Sequence, residues 1–336
     1  MIIILMMWLA LAGYGISINR QNNPFEREQT LALRGISSVE IMIGHIGLTT
    51  GSAILYPNRK AGILFVGIFF LLSGYGVAYR MEHKPDYRKH FLRNRFVKIL
   101  FPAYFVKIIM IILELLLRGA EEPLVIHWKS FLLNLNWYVW EQLFFYLIFW
   151  IVYSTVPQYL EIIVGIISVV FIGIAYIRGM DNPWYGSSLC FVLGIFCYKV
   201  VEKRNTDCER HVVEYCVLIG ALFLILVMSM TAFFVLGNES ILGNPVARNI
   251  ASLSFVVITV MLLHKFRVVN LASVFLGKCS YEIFLVHPYI LSILSKMSIE
   301  SMALLGILTI TLTIVLAYPL HFFVGNLLRC LRRKDV

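Results

Sequence analysis

Apolar stretches of about twenty residues alternate with short polar segments along almost the whole chain. A helix needs ~20 mainly apolar residues to cross the roughly 30 Å hydrocarbon core of a bilayer. We therefore predict an all-α, polytopic membrane bundle of about 10–11 transmembrane helices. The predicted spans are 1–18, 34–55, 61–80, 97–117, 131–154, 159–177, 184–201, 214–237, 247–264, 275–295 and 302–325.

The composition excludes an ordinary soluble protein. Of the 336 residues, 60% are hydrophobic and only 14% are charged, and the mean hydropathy is +0.81. A soluble chain of this length needs a more polar surface. No long polar tract could form a separate soluble domain. We therefore assign nearly the whole chain to one membrane bundle (31–326), preceded by an N-terminal helix and loop (1–30) and followed by a basic tail (327–336).

The first apolar stretch has two interpretations. Ala10-Leu11-Ala12 offers the small residues of a signal-peptide cleavage site. No lysine or arginine precedes the stretch, however, whereas Arg20 and Arg27 follow it. We therefore predict a retained helix whose N-terminus lies outside the cytoplasm.

The basic residues predict the orientation of the bundle. The net charge of +10 does not indicate nucleic-acid binding, because the cations cluster between apolar runs. With the C-terminus inside, 21 of the 29 lysines and arginines fall in inside segments and 7 in outside segments, while Lys107 lies within a helix. This asymmetry follows the positive-inside rule. We predict a multi-pass plasma-membrane protein with a cytoplasmic C-terminus and the lipid bilayer as a partner. The sequence does not predict the oligomeric state.

Arg34 and His45 are the first candidate functional pair. At about 100° per residue, their separation of eleven residues puts both on one helix face, with His45 ~16 Å deeper than Arg34. His45 would then lie near the middle of the membrane, where an ionisable group is a functional hypothesis by default. A neutral imidazole can act as a general base. The alternative is a histidine that only packs helices together.

A second candidate group lies at the predicted outer end of the fifth span. Trp137, Tyr138 and Trp140 fit an aromatic belt at the membrane interface. A belt does not need Glu141, whose burial would be costly without a cavity or a partner to face. We therefore predict a functional role for Glu141.

Two further segments carry candidate residues. Arg93 and Arg95 precede Lys98 at a predicted helix mouth, where they could bind phosphate groups or only fix topology. Ser280 and His287 are seven residues apart on one face, and Pro288 predicts a kink with a polar lining. His287 could equally be a packing histidine.

The cysteines give no sign of a metal centre or a disulfide framework. None of the six forms a CxxC pair or another metal-ligand spacing. We predict no metal site.

Taken in order, these motifs resemble the membrane acyltransferase 3 family over roughly residues 31–325. Each match is weak alone, and the ordered set is specific. The matching elements are Arg34 with His45 (R-x10-H), Phe69 to Tyr75 (an apolar run ending in Ser-Gly-aromatic), Arg95 to Pro102 with Tyr104, Trp137-Tyr138 with Glu141 and Tyr146, and Ser280-Tyr281 with His287.

Three features depart from the family pattern. An extra helix precedes the usual first one, and Lys98 stands where the family commonly has arginine. His287 is followed by Pro-Tyr. The lysine weakens the case for bidentate phosphate binding at position 98.

The resemblance implies a membrane O-acyltransferase, usually an O-acetyltransferase. Such enzymes move an acyl group from a cytoplasmic thioester, typically acetyl-CoA, to a hydroxyl of a cell-surface or lipid-linked saccharide. Acyl-CoA would be a co-substrate, with no permanently bound cofactor.

The expected residue roles follow from this activity. His45 is expected to be the general base, or to form a transient acyl-imidazole, and Glu141 to orient His45 or bind the acceptor. Arg34, Arg93 and Arg95 are expected to hold the donor. Expected to line the acceptor pocket are Trp137, Tyr138, Ser280 and His287.

Two other classes of protein compete with this interpretation. A transporter that exports a polysaccharide precursor or another polar solute would also bury histidine and glutamate. We see no repeated halves and no paired Gly/Pro-broken helices, which many transporters show. A non-catalytic assembly partner would not need His45, Glu141 and Arg95 together.

Overall fold

The computed structural model of the chain describes residues 1–20, 23–118, 132, 135–203, 212–236, 240–297 and 299–333. Outside these residues lie most of the predicted loops 118–130 and 202–213, the start of the predicted span 131–154, and Lys129, Arg204, Arg210, Lys334 and Cys208. The described chain is almost entirely helical, and the predicted all-α fold class is confirmed.

The described part of the chain contains twelve α-helices and one short β-ribbon. The helices are α1 (Ile2–Gly13), α2 (Arg27–Thr50), α3 (Tyr56–His83), α4 (Phe91–Arg118), α5 (Trp137–Thr155), α6 (Leu160–Ile177), α7 (Leu189–Lys203), α8 (Val212–Leu236), α9 (Ala247–Lys265), α10 (Leu271–Lys278), α11 (Ser280–Lys296) and α12 (Met302–Arg333). The strands are β1 (Ile16–Ile18) and β2 (Phe266–Val268), which pair antiparallel with Ser17 opposite Arg267.

Eight of the described helical segments are long and apolar enough to cross a membrane. They correspond to α2, α3, α4, α6, α7, α8, α9 and α12. Helix α5 has 19 residues but carries Glu141 and Gln142 in its first turns. A helix is present at each of the eleven predicted spans, and the protein is a multi-pass membrane protein.

Several predicted helix ends are wrong. Helix α1 has 12 residues, about 18 Å at ~1.5 Å per residue, and not the predicted 1–18. It ends early because Gly15 turns the backbone at a positive φ of 85° into β1. Helix α2 begins at Arg27, so Arg34 lies two turns inside it. Helix α4 begins at Phe91, which puts Arg93 and Arg95 on the helix rather than in a loop.

The predicted span 275–295 is divided into two helices at Cys279. Helix α10 starts at a capping box in which the Asn270 side chain accepts from the Ser273 amide. Helix α10 lies directly against α2. A Cβ added at Gly277 would overlap the Leu31 carbonyl, and one added at Gly35 would overlap the Ser273 carbonyl. Only glycine permits this backbone contact, which interrupts the helix before Ser280 begins α11.

Ion pairs show which helix ends lie together. Arg267 pairs with Glu26 at 3.3 Å and with Glu28, and Lys199 pairs with Glu161 at 2.6 Å. We call the end of the bundle that carries these ion pairs the basic end, and the opposite end the far end. The sequence predicts that the basic end is cytoplasmic.

The core lies around α2. In its most apolar window 78% of residues are buried, against 6% for α8. Helix α2 packs against α3, α10 and α11, and helix α8 lies at the periphery. The residues of the candidate site therefore come mainly from α2, α4, α5 and α11, around the best-packed part of the bundle.

Candidate active site

A cavity of roughly 230 Å³ lies between five helices towards the basic end; we call it the basic cavity. Helices α2, α3, α4, α5 and α11 each contribute to its wall. Its lining residues are Arg34, Phe69, Ser73, Arg95, Lys98, Ile99, Tyr138, Gln142, Tyr146, Ser280, Tyr281 and Phe284.

The basic cavity has the charge of an anion-binding site. Three lining residues, Arg34, Arg95 and Lys98, are cations, and none of the twelve is a carboxylate. Five more carry hydroxyl groups that can donate hydrogen bonds. A phosphate would find both charge and donors here.

Aromatic side chains hold Arg95 in position. Its guanidinium carbon lies 4.9 Å from the centre of the Tyr146 ring and 5.7 Å from that of Tyr87. Its Nη1 donates to the Tyr146 hydroxyl over 3.4 Å. The Nε of Arg95 is buried and has no hydrogen-bond partner among the described residues. The side chain is thus oriented in advance and retains an unused donor.

The structure brings only some of the predicted donor residues together. Arg34 and Arg95 line the basic cavity, whereas Arg93 is exposed and is not part of the lining. Lys98 lines it as well. The sequence signal for Lys98 was its place one turn after Arg95 in an apolar helix.

His45 forms a direct contact with His287, 242 residues away in the chain. Nδ1 of His45 lies 2.7 Å from Nε2 of His287. The rings are stacked, with centroids 5.0 Å apart and planes inclined by 24°. His287 is fully buried, and His45 is half-buried.

The backbone of α11 fixes the tautomer of His287. Its Nδ1 lies 2.9 Å from the Ile283 carbonyl oxygen. Because a carbonyl can only accept, this Nδ1 carries the hydrogen, and Nε2 of the neutral ring is an acceptor. His45 must then donate from its own Nδ1, which leaves Nε2 of neutral His45 with a free lone pair.

Pro288 adds a second carbonyl to the surroundings of His287. A proline inside a helix cannot donate to the carbonyl four residues earlier, here that of Phe284. The Phe284 carbonyl also interacts with the His287 ring. The proline thus frees a second acceptor next to Nδ1 of His287.

A second cavity, of roughly 260 Å³, lies between α4, α11 and the segment that precedes α5. Residues 280, 281 and 284 of α11 face the basic cavity, whereas 285, 288 and 289 face this one. His287 shares a helix face with Ser280 and belongs to neither lining. The second cavity is lined by Ala103, Val106, Leu135, Asn136, Leu285, Pro288 and Tyr289.

The remaining predicted residues occupy different places. Tyr138 and Ser280 line the basic cavity, and Trp137 lines neither cavity. Glu141 is buried and accepts a hydrogen bond from the Ser188 hydroxyl at 2.7 Å. The residue that contacts His45 is His287, so Glu141 is not the group that orients it.

Two other buried carboxylates were missed by the sequence analysis. Glu40, on α2 between Arg34 and His45, accepts from the Asn58 amide at 2.8 Å. Glu282 on α11 lies 3.2 Å from Nδ1 of His321 on α12. A charged residue inside an apolar helix is the signal that should have marked both.

Among the described residues, no group of three or more His, Cys, Asp or Glu side chains could hold a metal ion.

Comparison with known proteins identifies the family. The fold and the site are those of a polytopic membrane protein with a cationic cavity next to a buried histidine pair. A family model described as an acyltransferase domain, that of acyltransferase 3, matches residues 32–322. The chain belongs to this family and is a membrane acyltransferase. No curated protein and no solved structure matches it.

Proposed function

We propose that the protein transfers an acetyl group from cytoplasmic acetyl-CoA to a hydroxyl group of a cell-surface or lipid-linked saccharide. The observation that carries this proposal is the His45–His287 pair, which lies beside Phe284 in the wall of the cationic basic cavity. A neutral base next to an anion-binding cavity suits transfer from an anionic donor to a hydroxyl group.

The basic cavity is the proposed donor site. Acyl-CoA carries several phosphate charges, and three cations without a carboxylate can compensate them. The cavity is too small for the whole molecule, so the thioester arm would enter it and the nucleotide would remain at its mouth. We assign the phosphates to Arg95 and the exposed Lys98, and the inner part of the arm to Arg34.

The route to the base passes Phe284. This side chain lines the basic cavity, and its ring centre lies 5.9 Å from that of His287. A thioester that reached the end of the cavity would therefore arrive beside the histidine pair.

His45 is the proposed general base in the transfer step. Its Nε2 accepts the proton of the acceptor hydroxyl while the hydroxyl oxygen attacks the thioester carbonyl carbon. The new C–O bond forms, the C–S bond breaks, and the CoA sulfur leaves as a thiolate that takes the proton from His45. His287 stabilises the transient imidazolium by accepting from its Nδ1–H, as the third member of a catalytic triad does.

The second cavity is the proposed acceptor entrance. Asn136 and Tyr289 contribute polar groups to it, and Trp137 follows directly in the chain. Aromatic rings with polar neighbours suit a sugar. Glu141 would contribute indirectly, by holding α5 against the turn that precedes α7 through its hydrogen bond with Ser188.

Proteoliposomes loaded with the candidate saccharide and supplied outside with acetyl-labelled acetyl-CoA test the proposal. Inside-out orientation must be established first, by protease mapping of the C-terminus. An acetyltransferase yields labelled saccharide with one free CoA thiol per acetyl group. The transporter alternative predicts movement of intact solute with no thiol release, and that result would overturn the proposal.

A further inference from the structure

Three cations gather at the far end of the bundle, and none of them lines the basic cavity. Arg59 and Lys60 lie in the first turns of α3, and Arg248 lies in the first turn of α9. Arg59 and Lys60 are neighbours in the chain, and Lys60 and Arg248 both lie over the ring of Phe233. We call these three residues the far-end cluster.

Aromatic rings from α3 and α8 hold the far-end cluster together. The Arg248 guanidinium carbon lies 4.2 Å from the centre of the Phe233 ring, and Lys60 Nζ lies 4.9 Å from the same centre. The Arg59 guanidinium carbon lies 5.5 Å from the centre of the Tyr56 ring. Phe233 is buried. Two cations thus share one fixed ring instead of extending separately into solvent.

The cluster has no anionic partner in the described part of the chain. None of its three members forms an ion pair with a described carboxylate, and the Nε atoms of Arg59 and Arg248 are buried without a hydrogen-bond partner. Asp181, which precedes the turn that carries Tyr185, forms no ion pair with any of the three. Like charges held together in this way repel each other unless an anion lies between them.

Topology gives no reason for cations at this end. Only seven of the 29 lysines and arginines fall in segments predicted to face outwards, and three of those seven form this cluster. The positive-inside rule disfavours rather than requires them here. Arginine forks combined with a lysine are, in contrast, suited to phosphate oxygens.

We propose that Arg59, Lys60 and Arg248 form a binding site for a phosphate ester at the far end of the bundle. The three residues lie at ends of α3 and α9, which like α8 are long and apolar enough to cross a membrane, and lipid phosphates are found where such helices leave the hydrocarbon core. The phosphate comes either from a bilayer phospholipid or from a lipid-linked acceptor. The site does not depend on the acyl transfer proposed above.

The test is a binding measurement on the purified full-length protein in phosphatidylcholine nanodiscs, without acyl-CoA. Two probes are used, phosphatidylglycerol and a polyprenyl phosphate, and bound probe is counted by native mass spectrometry. The wild type is expected to retain at least one of them. The double variant Lys60→Gln with Arg248→Gln should lose at least tenfold in affinity, since each charge-assisted contact contributes about tenfold or more.

The matched control is Arg178→Gln, which removes an exposed far-end arginine outside the cluster. It should bind as the wild type does. If the double variant does not fold, Lys60→Arg and the single variant Arg59→Gln replace it, with binding expected to be retained in the first and weakened in the second.

The two sources give different results. At least tenfold preference for polyprenyl phosphate identifies the acceptor's carrier, and equal binding of both probes identifies a headgroup site. Equal binding by the wild type and the charge-removing variants, or no binding of either probe by the wild type, would overturn the proposal. Because no acyl donor is present, these outcomes are independent of whether acetyl transfer is observed.

Discussion

Nδ1 of His45 and Nε2 of His287 lie 2.7 Å apart, and Nδ1 of His287 is bonded to the backbone of its own helix. Together these two contacts determine which of the two rings donates the hydrogen bond between them. His287 can only accept from His45, so Nε2 of His45 is the free base. A residue 242 positions away thereby determines which nitrogen of the candidate catalytic histidine reacts.

The first prediction concerns His287. His287→Leu removes the acceptor for Nδ1 of His45, and we expect acyl transfer to fall ~10- to 100-fold, within the range that general-base catalysis contributes. His287→Gln, which can still accept, should recover most of the rate. The half-saturating acetyl-CoA concentration should stay unchanged in both variants. Equal loss in both, or a change in half-saturation alone, would show that His287 only packs.

The second prediction concerns Pro288. Pro288→Ala restores the amide that can bond the Phe284 carbonyl and so withdraws one acceptor from His287. We expect a fall in transfer rate of severalfold, about 1 kcal/mol, the net value of one hydrogen bond. Thermal stability should not fall, since a helix gains from losing an interior proline. A full rate in a folded variant would remove the proline from the account.

The third prediction separates donor binding from topology. Arg95→Lys keeps the charge and loses the guanidinium fork, so the half-saturating acetyl-CoA concentration should rise about tenfold to a hundredfold. Arg93→Lys is the matched control, because Arg93 lies two residues away on the same helix but is exposed and outside the cavity. The same response from both variants would argue against the basic cavity as the donor site.

The fourth prediction concerns the contact between α10 and α2. A Cβ at Gly277 overlaps the Leu31 carbonyl, so Gly277→Ala must separate the two helices. We expect a loss of about 1–3 kcal/mol or more in unfolding free energy, as for other overpacked sites. Gly220→Ala, in helix α8 with nothing within 4 Å, is the control and should not lose stability. Thermal unfolding in detergent measures both; an unchanged midpoint for Gly277→Ala would contradict the packing.

The lengths of the apolar stretches predicted the helices well, because a membrane-spanning helix needs a minimum length and an apolar composition that are visible in the local sequence. It failed where a tertiary contact decided the outcome. The interruption at Cys279 depends on the contact of Gly277 with Leu31, which no local pattern reveals. The early start of α4 is similar: Phe91 is buried among core residues, and the polar segment at 93–95 concealed the beginning of the helix.

The candidate site was predictable in its parts and not in its pairings. Arg34, Arg95, Tyr138 and Ser280 could be identified from polar positions in apolar helices, and they line one cavity. The partner of His45 could not, because sequence gives no distance between helices α2 and α11. Glu141 was expected to orient His45 or to bind the acceptor, whereas in the structure it accepts a hydrogen bond from Ser188.

The central claim is that His45 is the base in acyl transfer, and His45→Ala tests it most directly. Purified wild type and variant are compared for transfer of labelled acetyl from acetyl-CoA to the acceptor, with thermal unfolding and acetyl-CoA binding measured on the same samples. The account predicts a folded variant that binds acetyl-CoA normally and transfers no acetyl group above background. Wild-type turnover by the folded variant would contradict it.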